Sequence, residues 1–82
     1  MTITVYTRPA CVQCVATKTW LRARGVPFVE VDVTQDEEAF ARAAATGIRQ
    51  MPIVVADGCE PFGGFDTGML QDVEMMQGAG GA

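Results

Sequence analysis

The spacing of apolar and polar positions in the first half of the chain predicts two strands around one helix. Residues 2–6 alternate and are rich in β-branched and aromatic side chains, and residues 27–33 repeat this strand pattern. Residues 12–23 have helical spacing, with Leu21 expected in the core, and Arg24-Gly25 is a helix stop. A crossover of about 20 residues makes the two strands parallel neighbours in a right-handed βαβ unit.

A second helix is predicted over residues 35–45. Thr34, followed by Glu37 three residues later, forms the pattern of a capping box, in which both side chains satisfy backbone N–H groups of the first turn. The helix is rich in alanine and is expected to end near Gly47. Its inner face is expected to consist mainly of Phe40, Ala43 and Ala44.

The rest of the chain predicts a hairpin and a third helix. Residues 52–56 form a strand pattern, Asp57-Gly58 is a tight-turn signal, and residues 59–62 are expected to return as a short antiparallel strand. Gly63-Gly64 then leads into a helix predicted over residues 66–76. Its apolar positions, with methionines interpreted as core filler, are Met69, Leu70, Val73 and Met76.

Composition limits the class of protein. The 82 residues are expected to form one domain, residues 1–76, with residues 77–82 as a flexible Gly/Ala tail. Ten acidic against six basic residues give a net charge of −4, which disfavours nucleic acid and membranes as partners. No apolar run is long enough to span a bilayer and the N-terminus lacks the pattern of a signal peptide, so we expect a cytoplasmic protein. We also expect it to be a monomer.

Two cysteines separated by two residues, Cys11 and Cys14, are placed to open the first helix directly after the first strand. A thiol at a helix N-terminus beside a cation has a lowered pKa, and Arg8 lies three residues before Cys11. Cys11 is therefore the expected nucleophile and Cys14, one turn further into the helix, the expected resolving thiol. The pattern predicts a redox protein that exchanges a dithiol for a disulfide.

Other uses of a CxxC pair fit this composition less well. A structural zinc site takes four Cys or His ligands, whereas the chain has no histidine and a single further cysteine, Cys59. A structural disulfide that closes so small a loop would stabilise the fold little. No metal and no cofactor are therefore expected. Cys59 is interpreted as a partly buried residue outside the redox pair, with glutathionylation or dimer formation as the alternative.

The predicted order, strand-helix-strand-helix-strand-strand-helix, resembles the thioredoxin fold in its short glutaredoxin-like form, an α/β fold with a four-stranded mixed sheet. Residues 5–14, VYTRPACVQC, together with Ala16-Thr17-Lys18, resemble the signature of the NrdH-redoxins, which carry CVQC where most glutaredoxins carry CPYC. The resemblance implies a protein disulfide reductase that thioredoxin reductase, rather than glutathione, keeps reduced. It also implies class Ib ribonucleotide reductase as the protein that receives the electrons.

The same resemblance implies a set of residues that dock the substrate. Met51-Pro52 matches the position of a cis-proline whose loop faces the CxxC pair, and the backbone before that proline pairs with the incoming cysteine peptide like an added strand. The alternative is a trans proline that starts an edge strand. The expected docking residues are Val12, Gln13, Met51, Pro52, Gly64 and Phe65.

The chain departs from the NrdH-redoxin pattern at residues 62–68, FGGFDTG, where the family typically shows a segment resembling WSGFRPD. Of that segment only Gly64-Phe65 is kept. The residues present resemble the Gly-Gly and acidic segment of glutaredoxins, in which a helix N-terminus and an aspartate hold the γ-glutamyl end of glutathione. Asp66 and Thr67 are therefore candidate glutathione-binding residues, and the alternative is that one of them caps the last helix.

Three functions follow from these patterns. The first is a protein disulfide reductase driven by thioredoxin reductase, as the CVQC motif implies. The second is a glutathione-dependent glutaredoxin, which the Gly63-Gly64 segment favours. The third is a non-enzymatic dimer that holds an iron–sulfur cluster through Cys11 and external thiols, which is disfavoured because Cys14 competes for Cys11.

Overall fold

Strands and helices follow one another along residues 2–77, the part of the chain that the computed structural model describes. The elements are β1 (Ile3–Thr7), α1 (Val12–Ala23), β2 (Val29–Asp32), α2 (Glu37–Ala45), β3 (Ile53–Ala56), β4 (Phe62–Gly63) and α3 (Thr67–Met76). This is the order that the sequence predicts. None of the helices within the described range is long and apolar enough to cross a lipid bilayer.

The four strands form one mixed sheet in the order β2-β1-β3-β4. β1 pairs in parallel with β2 and antiparallel with β3, and β3 pairs antiparallel with β4. Val5 in the central strand β1 lies opposite Glu30 of β2 on one side and Val54 of β3 on the other. Because β1 ends at Thr7, Cys11 follows the C-terminal end of this central strand by four residues.

The sheet is covered on both faces, which the alternation of side chains along β1 and β3 explains. On the first face, α1 and α3 bury a cluster made of Ile3, Val5, Leu21, Val26, Val54, Ala56, Phe62, Leu70 and Val73. On the second face, α2 buries a smaller cluster made of Tyr6, Val33, Ala39, Ala43 and Ile53. Leu21 is fully buried, as predicted.

The capping box predicted for α2 is wrong. Both the backbone N–H and the hydroxyl of Thr34 donate to the Asp32 carboxylate, at 2.8 and 2.6 Å. Asp36 is the N-cap instead, and its side chain accepts from the backbone N–H groups of Glu38 and Ala39. The helix begins at Glu37, two residues later than predicted, because Asp36 offers a capping carboxylate after the turn around Thr34.

The inner face predicted for α2 is also largely wrong. Ala39 and Ala43, one turn apart, are the residues buried against the sheet. Phe40 is 59% exposed and Ala44 is exposed, so only Ala43 of the predicted face is correct. The contact of α2 with the sheet is thus made by two alanines, while the aromatic side chain of Phe40 stands at the surface beside them.

The predicted hairpin is present with a longer loop. The Cys59 N–H donates to the Ala56 carbonyl across the Asp57-Gly58 turn, as expected of a turn with Gly58 at a positive φ. The return strand is not residues 59–62, however, since only Phe62 and Gly63 pair with β3. Pro61 has no N–H to donate, which is consistent with pairing that begins only after it.

α3 buries Leu70 and Val73, whereas its methionines differ from the prediction. Met69 is half-buried against the core, while Met76 is 51% exposed and is not core filler. Gln77, the first residue of the predicted tail, caps this helix through its backbone N–H. Residues 78–82 of that tail lie outside the described residues. Cys59 is half-buried and packs against the first core cluster.

Candidate active site

Cys11 and Cys14 stand at the first turn of α1, where they form a disulfide with a Cα–Cα separation of 5.2 Å. Cys11 is the N-cap of the helix, with the extended backbone typical of that position, and its Sγ accepts the backbone N–H of Cys14 at 3.1 Å. Ala10, just before it, has a positive φ of 57°, which turns the chain from β1 into the helix. The sulfur of Cys11 therefore lies at the N-terminus of α1, where backbone N–H groups without partners inside the helix stabilise negative charge.

Two clefts give access to the sulfurs. The first, of about 310 Å³, which we call the Cys11 cleft, is lined by Arg8, Ala10, Cys11, Val12, Gln13, Arg49, Gln50 and Met51. The second, of about 620 Å³, shares Cys11 with the first and also reaches Cys14, Lys18 and Glu30. Cys11 is 9% exposed and Cys14 only 2%, so Cys11 is the sulfur that a partner meets first.

A polar network lines the second cleft. Lys18, one helical turn after Cys14, forms an ion pair of 2.7 Å with Glu30 of β2. The hydroxyl of the buried Thr7 donates to the same carboxylate oxygen at 3.1 Å. The hydrogen bond from Lys18 is the main reason why the pKa of Glu30 lies below its usual range, with Thr7 adding to it against the opposing effect of burial.

The loop before β3 brings the predicted docking residues to the same place. The Met51-Pro52 peptide bond is cis, as predicted. Pro52 is buried and its carbonyl accepts the N–H of Gly64 at 3.0 Å, while Met51 is half-buried and lines the Cys11 cleft. The loop before β3 and the loop before α3 are thereby fixed to each other beside the disulfide.

Gln13 joins the CVQC segment to the loop before α3. Its side-chain oxygen accepts the backbone N–H of Phe65 at 3.3 Å. Gly64 has a positive φ of 79°, and a Cβ placed there would lie 3.0 Å from the side-chain oxygens of both Gln13 and Gln50. A Cβ on Gly63 would approach the Gln50 carbonyl oxygen to 2.7 Å. The Gly-Gly pair is therefore required for close packing of three loops.

Asp66 and Thr67 are placed differently from the other candidates. Asp66 is the N-cap of α3, and its carboxylate accepts the N–H of Met69 at 3.1 Å. Thr67 is the first residue of the helix and is exposed. Neither belongs to the lining of the Cys11 cleft. Asp66 therefore caps the last helix, which is the alternative to a glutathione-binding role given above for these two residues.

Several residues at the site carry no signal in the sequence that would identify them. Arg49 and Gln50 line the Cys11 cleft because they directly precede Met51, and only that proximity could have suggested them. Glu30 is far from the CxxC segment in sequence, and it reaches the second cleft because β2 pairs with β1. Within residues 2–77, no three His, Cys, Asp or Glu side chains cluster in a way that could hold a metal ion.

Comparison with known proteins agrees with this geometry. The glutaredoxin family model matches residues 3–59. The glutaredoxin-like protein NrdH of Escherichia coli K12 is 43% identical over 70 residues, which cover 85% of this chain and 85% of that protein. The chain belongs to the glutaredoxin family and to its NrdH-like branch. It is a thiol–disulfide oxidoreductase in that family, with Cys11 and Cys14 as its redox pair.

Other relatives of this redoxin agree. The gene 56 protein of Mycobacterium phage L5 is 36% identical over 72 residues, covering 87% of this chain and 70% of that protein. The solved structure of NrdH-redoxin from Escherichia coli superposes with a TM-score of 0.83 at 40% identity, covering 89% of this chain and 95% of that one. The redoxin therefore has the thioredoxin-like fold that the sequence predicts.

Proposed function

We propose that this protein reduces protein disulfides through Cys11 and Cys14, that thioredoxin reductase keeps it reduced, and that it passes electrons to class Ib ribonucleotide reductase in the cytoplasm as a monomer. The observation that carries the proposal is the Cys11 Sγ at the N-cap of α1, where it accepts the Cys14 N–H. A thiolate at that atom gains the same hydrogen bond and the favourable end of the helix dipole.

The reaction transfers two electrons in two exchanges. The Cys11 thiolate attacks one sulfur of the target disulfide, forms a mixed disulfide and releases the other target sulfur as a thiolate. Cys14 then loses its proton and attacks Cys11, which releases the second target sulfur and leaves the Cys11–Cys14 disulfide. Because Cys14 is nearly fully buried, it resolves the intermediate rather than starting the reaction.

The surroundings of Cys11 suit a peptide substrate. Arg8 lines both clefts beside the sulfur and supplies the positive charge that favours its thiolate. The backbone of Met51 and Pro52 offers the edge on which the target segment lies, with Val12, 84% exposed, and Phe65, 41% exposed, on the rim. Gln13 and Gly64 hold these parts together.

A solved structure similar to this chain favours thioredoxin reductase as the electron source. The solved Escherichia coli relative is described as a glutaredoxin-like protein with a thioredoxin-like activity profile. In this chain two groups of the loop before α3 already have internal partners, since the Phe65 N–H donates to Gln13 and one oxygen of the Asp66 carboxylate accepts the Met69 N–H. This engagement disfavours the glutathione-dependent alternative.

The deciding experiment is NADPH consumption with insulin as the disulfide substrate. One arm supplies thioredoxin reductase and the other supplies glutathione with glutathione reductase. Turnover with thioredoxin reductase alone supports the proposal, whereas turnover with glutathione alone overturns it in favour of the glutaredoxin alternative. Cys59→Ser is the matched control, because Cys59 lies away from the clefts around Cys11 and should leave either result unchanged.

A further inference from the structure

An apolar groove continues from the Cys11 cleft along the edge of α2. The groove has a volume of about 420 Å³, and its apolar side chains include Phe40, Ala43, Ala44, Ile48, Met51 and Ile53. We call it the Phe40 groove. Met51 and Arg49 line both the groove and the Cys11 cleft, so the two lie side by side. A chain segment lying in the cleft can therefore extend directly into the groove.

Phe40 is the aromatic side chain of this groove. It is 59% exposed, and the other residues that line the groove are mostly apolar, so an apolar side chain of a partner that entered the groove would bury apolar surface on both sides. Beside it the groove is lined by the small side chains of Ala43 and Ala44 of α2. The groove is thus shaped to receive one bulky apolar side chain.

The charges around this junction point to the chemistry of the partner. The ion pairs found within residues 2–77 join Lys18 to Glu30, Arg24 to Glu74 and Arg42 to Glu38. Arg8, which lines the Cys11 cleft, and Arg49, which lines both the cleft and the groove, take part in none of them. The linings of the Cys11 cleft and the Phe40 groove contain arginine but no acidic residue. An acidic group on the partner would therefore meet arginine side chains that form no ion pair within residues 2–77.

We propose that the Phe40 groove selects the substrate of this redoxin, and that the preferred target is a protein segment with a bulky apolar residue and an acidic residue near its reactive cysteine. The apolar side chain enters the groove between Phe40 and Ile48, and the acidic side chain pairs with Arg49 or Arg8. This inference rests on the proposed disulfide reductase function and adds to it a rule for which disulfides are reduced fastest.

The test uses the pre-reduced protein in single turnover, so that no reductase is needed. The substrates are synthetic peptides with one internal disulfide, in which a single phenylalanine is moved stepwise along the flanking sequence and is replaced by serine in the reference peptide. We expect reduction about tenfold faster when phenylalanine stands at the positions that reach the groove, since burial of that side chain supplies the difference. Equal rates for all peptides would contradict substrate selection by the Phe40 groove. The absence of any reduction would contradict the proposed function itself.

Two variants connect the preference to the groove. Phe40→Ser should remove the advantage of the phenylalanine peptide, whereas Met75→Ser, at a more exposed apolar position on α3, should preserve it. Arg49→Glu should reverse a preference for aspartate over lysine in the peptide, and added salt should weaken that preference. Retention of both preferences in the variants would contradict the proposal.

A second copy of the chain is the competing occupant of the groove. Sedimentation of the oxidised protein distinguishes the two, because self-association through the groove predicts a dimer that Phe40→Ser dissociates. A dimer of that kind, together with peptide rates that do not depend on the flanking phenylalanine, would replace the substrate proposal. A monomer with the expected peptide preference would support it.

Discussion

The side-chain oxygen of Gln13 accepts the backbone N–H of Phe65 across 52 positions of sequence. This bond ties the segment between the two redox cysteines to the loop that leads into α3. The CVQC motif therefore does more than space two sulfurs, because its third residue satisfies a backbone donor that would otherwise face the substrate. Replacement of Gln13 should therefore change the mobility of the loop that leads into α3 more than it changes the thiol–disulfide reaction.

Gln13→Ala should loosen this loop while leaving the helix intact. The lost hydrogen bond corresponds to an increase in amide exchange at Phe65 of about 2- to 10-fold. Exchange measured by NMR on the oxidised protein checks this, with the Leu21 amide in the core as the internal reference. Unchanged exchange at Phe65 would mean that the bond contributes nothing in solution.

The two redox cysteines should respond differently to substitution. Cys11→Ser should reduce disulfide turnover to background, since the attacking sulfur is lost. Cys14→Ser should instead allow the first attack and accumulate the mixed disulfide with the target, because the resolving sulfur is absent. Mass spectrometry without reductant detects the adduct, and full turnover by Cys11→Ser would contradict the assigned roles.

The start of α2 offers a test of which residue caps the helix. Asp36→Ala should lower the free energy of unfolding by about 0.5–2 kcal/mol, because two N–H groups of the first turn lose their acceptor. Thr34→Ala should have a smaller effect, since its hydroxyl only bonds the exposed Asp32 carboxylate. Urea unfolding compares the two variants, and a larger loss for Thr34→Ala would restore the capping box.

The Lys18–Glu30 pair should make stability depend on pH in acid. The pKa of Glu30 is lowered from 4.5, chiefly by the hydrogen bond from Lys18, so the folded state binds this proton less readily than the unfolded state does. The contribution is therefore fully present above pH 4.5 and is lost as the pH falls through the lowered value. Since the carboxylate side chain is 36% exposed, its size is that of a surface pair, about 0.2–1 kcal/mol.

Glu30→Gln should show this dependence directly. Its stability deficit at neutral pH should shrink as the pH falls from 4.5 through the lowered pKa of Glu30, because the wild-type side chain then becomes neutral like glutamine. Urea unfolding at several pH values measures the difference. Glu60→Gln, at an exposed loop position outside the ion pairs of residues 2–77, is the control and should give no such trend.

The strength of the local signals explains how far the sequence could predict the fold. α1 begins at Val12 and ends at Ala23 as predicted, since a CxxC pair opens it and Arg24-Gly25 closes it. The parallel β1–β2 pair follows from the crossover between them. α2 shows the limit, because Thr34 and Asp36 are both good caps, and only the Asp32 carboxylate, which engages Thr34, decides between them.

The site shows the same limit. Cys11, Cys14 and the cis peptide before Pro52 were predictable because they lie in short motifs. The Glu30 network depends on which residues of β2 face the second cleft, and that register is a property of the folded sheet. The exposure of Phe40 depends on the rotation of α2, which Ala39 and Ala43 set by packing closely.

The unequal burial of the two sulfurs determines how the two partner proteins can bind to this redoxin. Because Cys11 is the sulfur open to partners, the protein that supplies electrons and the protein that takes them must occupy the same surface in turn. Tight binding of either partner would slow the cycle, since a long-lived complex prevents the other partner from binding. On the proposed cycle, the turnover rate then depends on how fast each partner dissociates. A small interface beside Cys11 favours fast dissociation more than a large interface does.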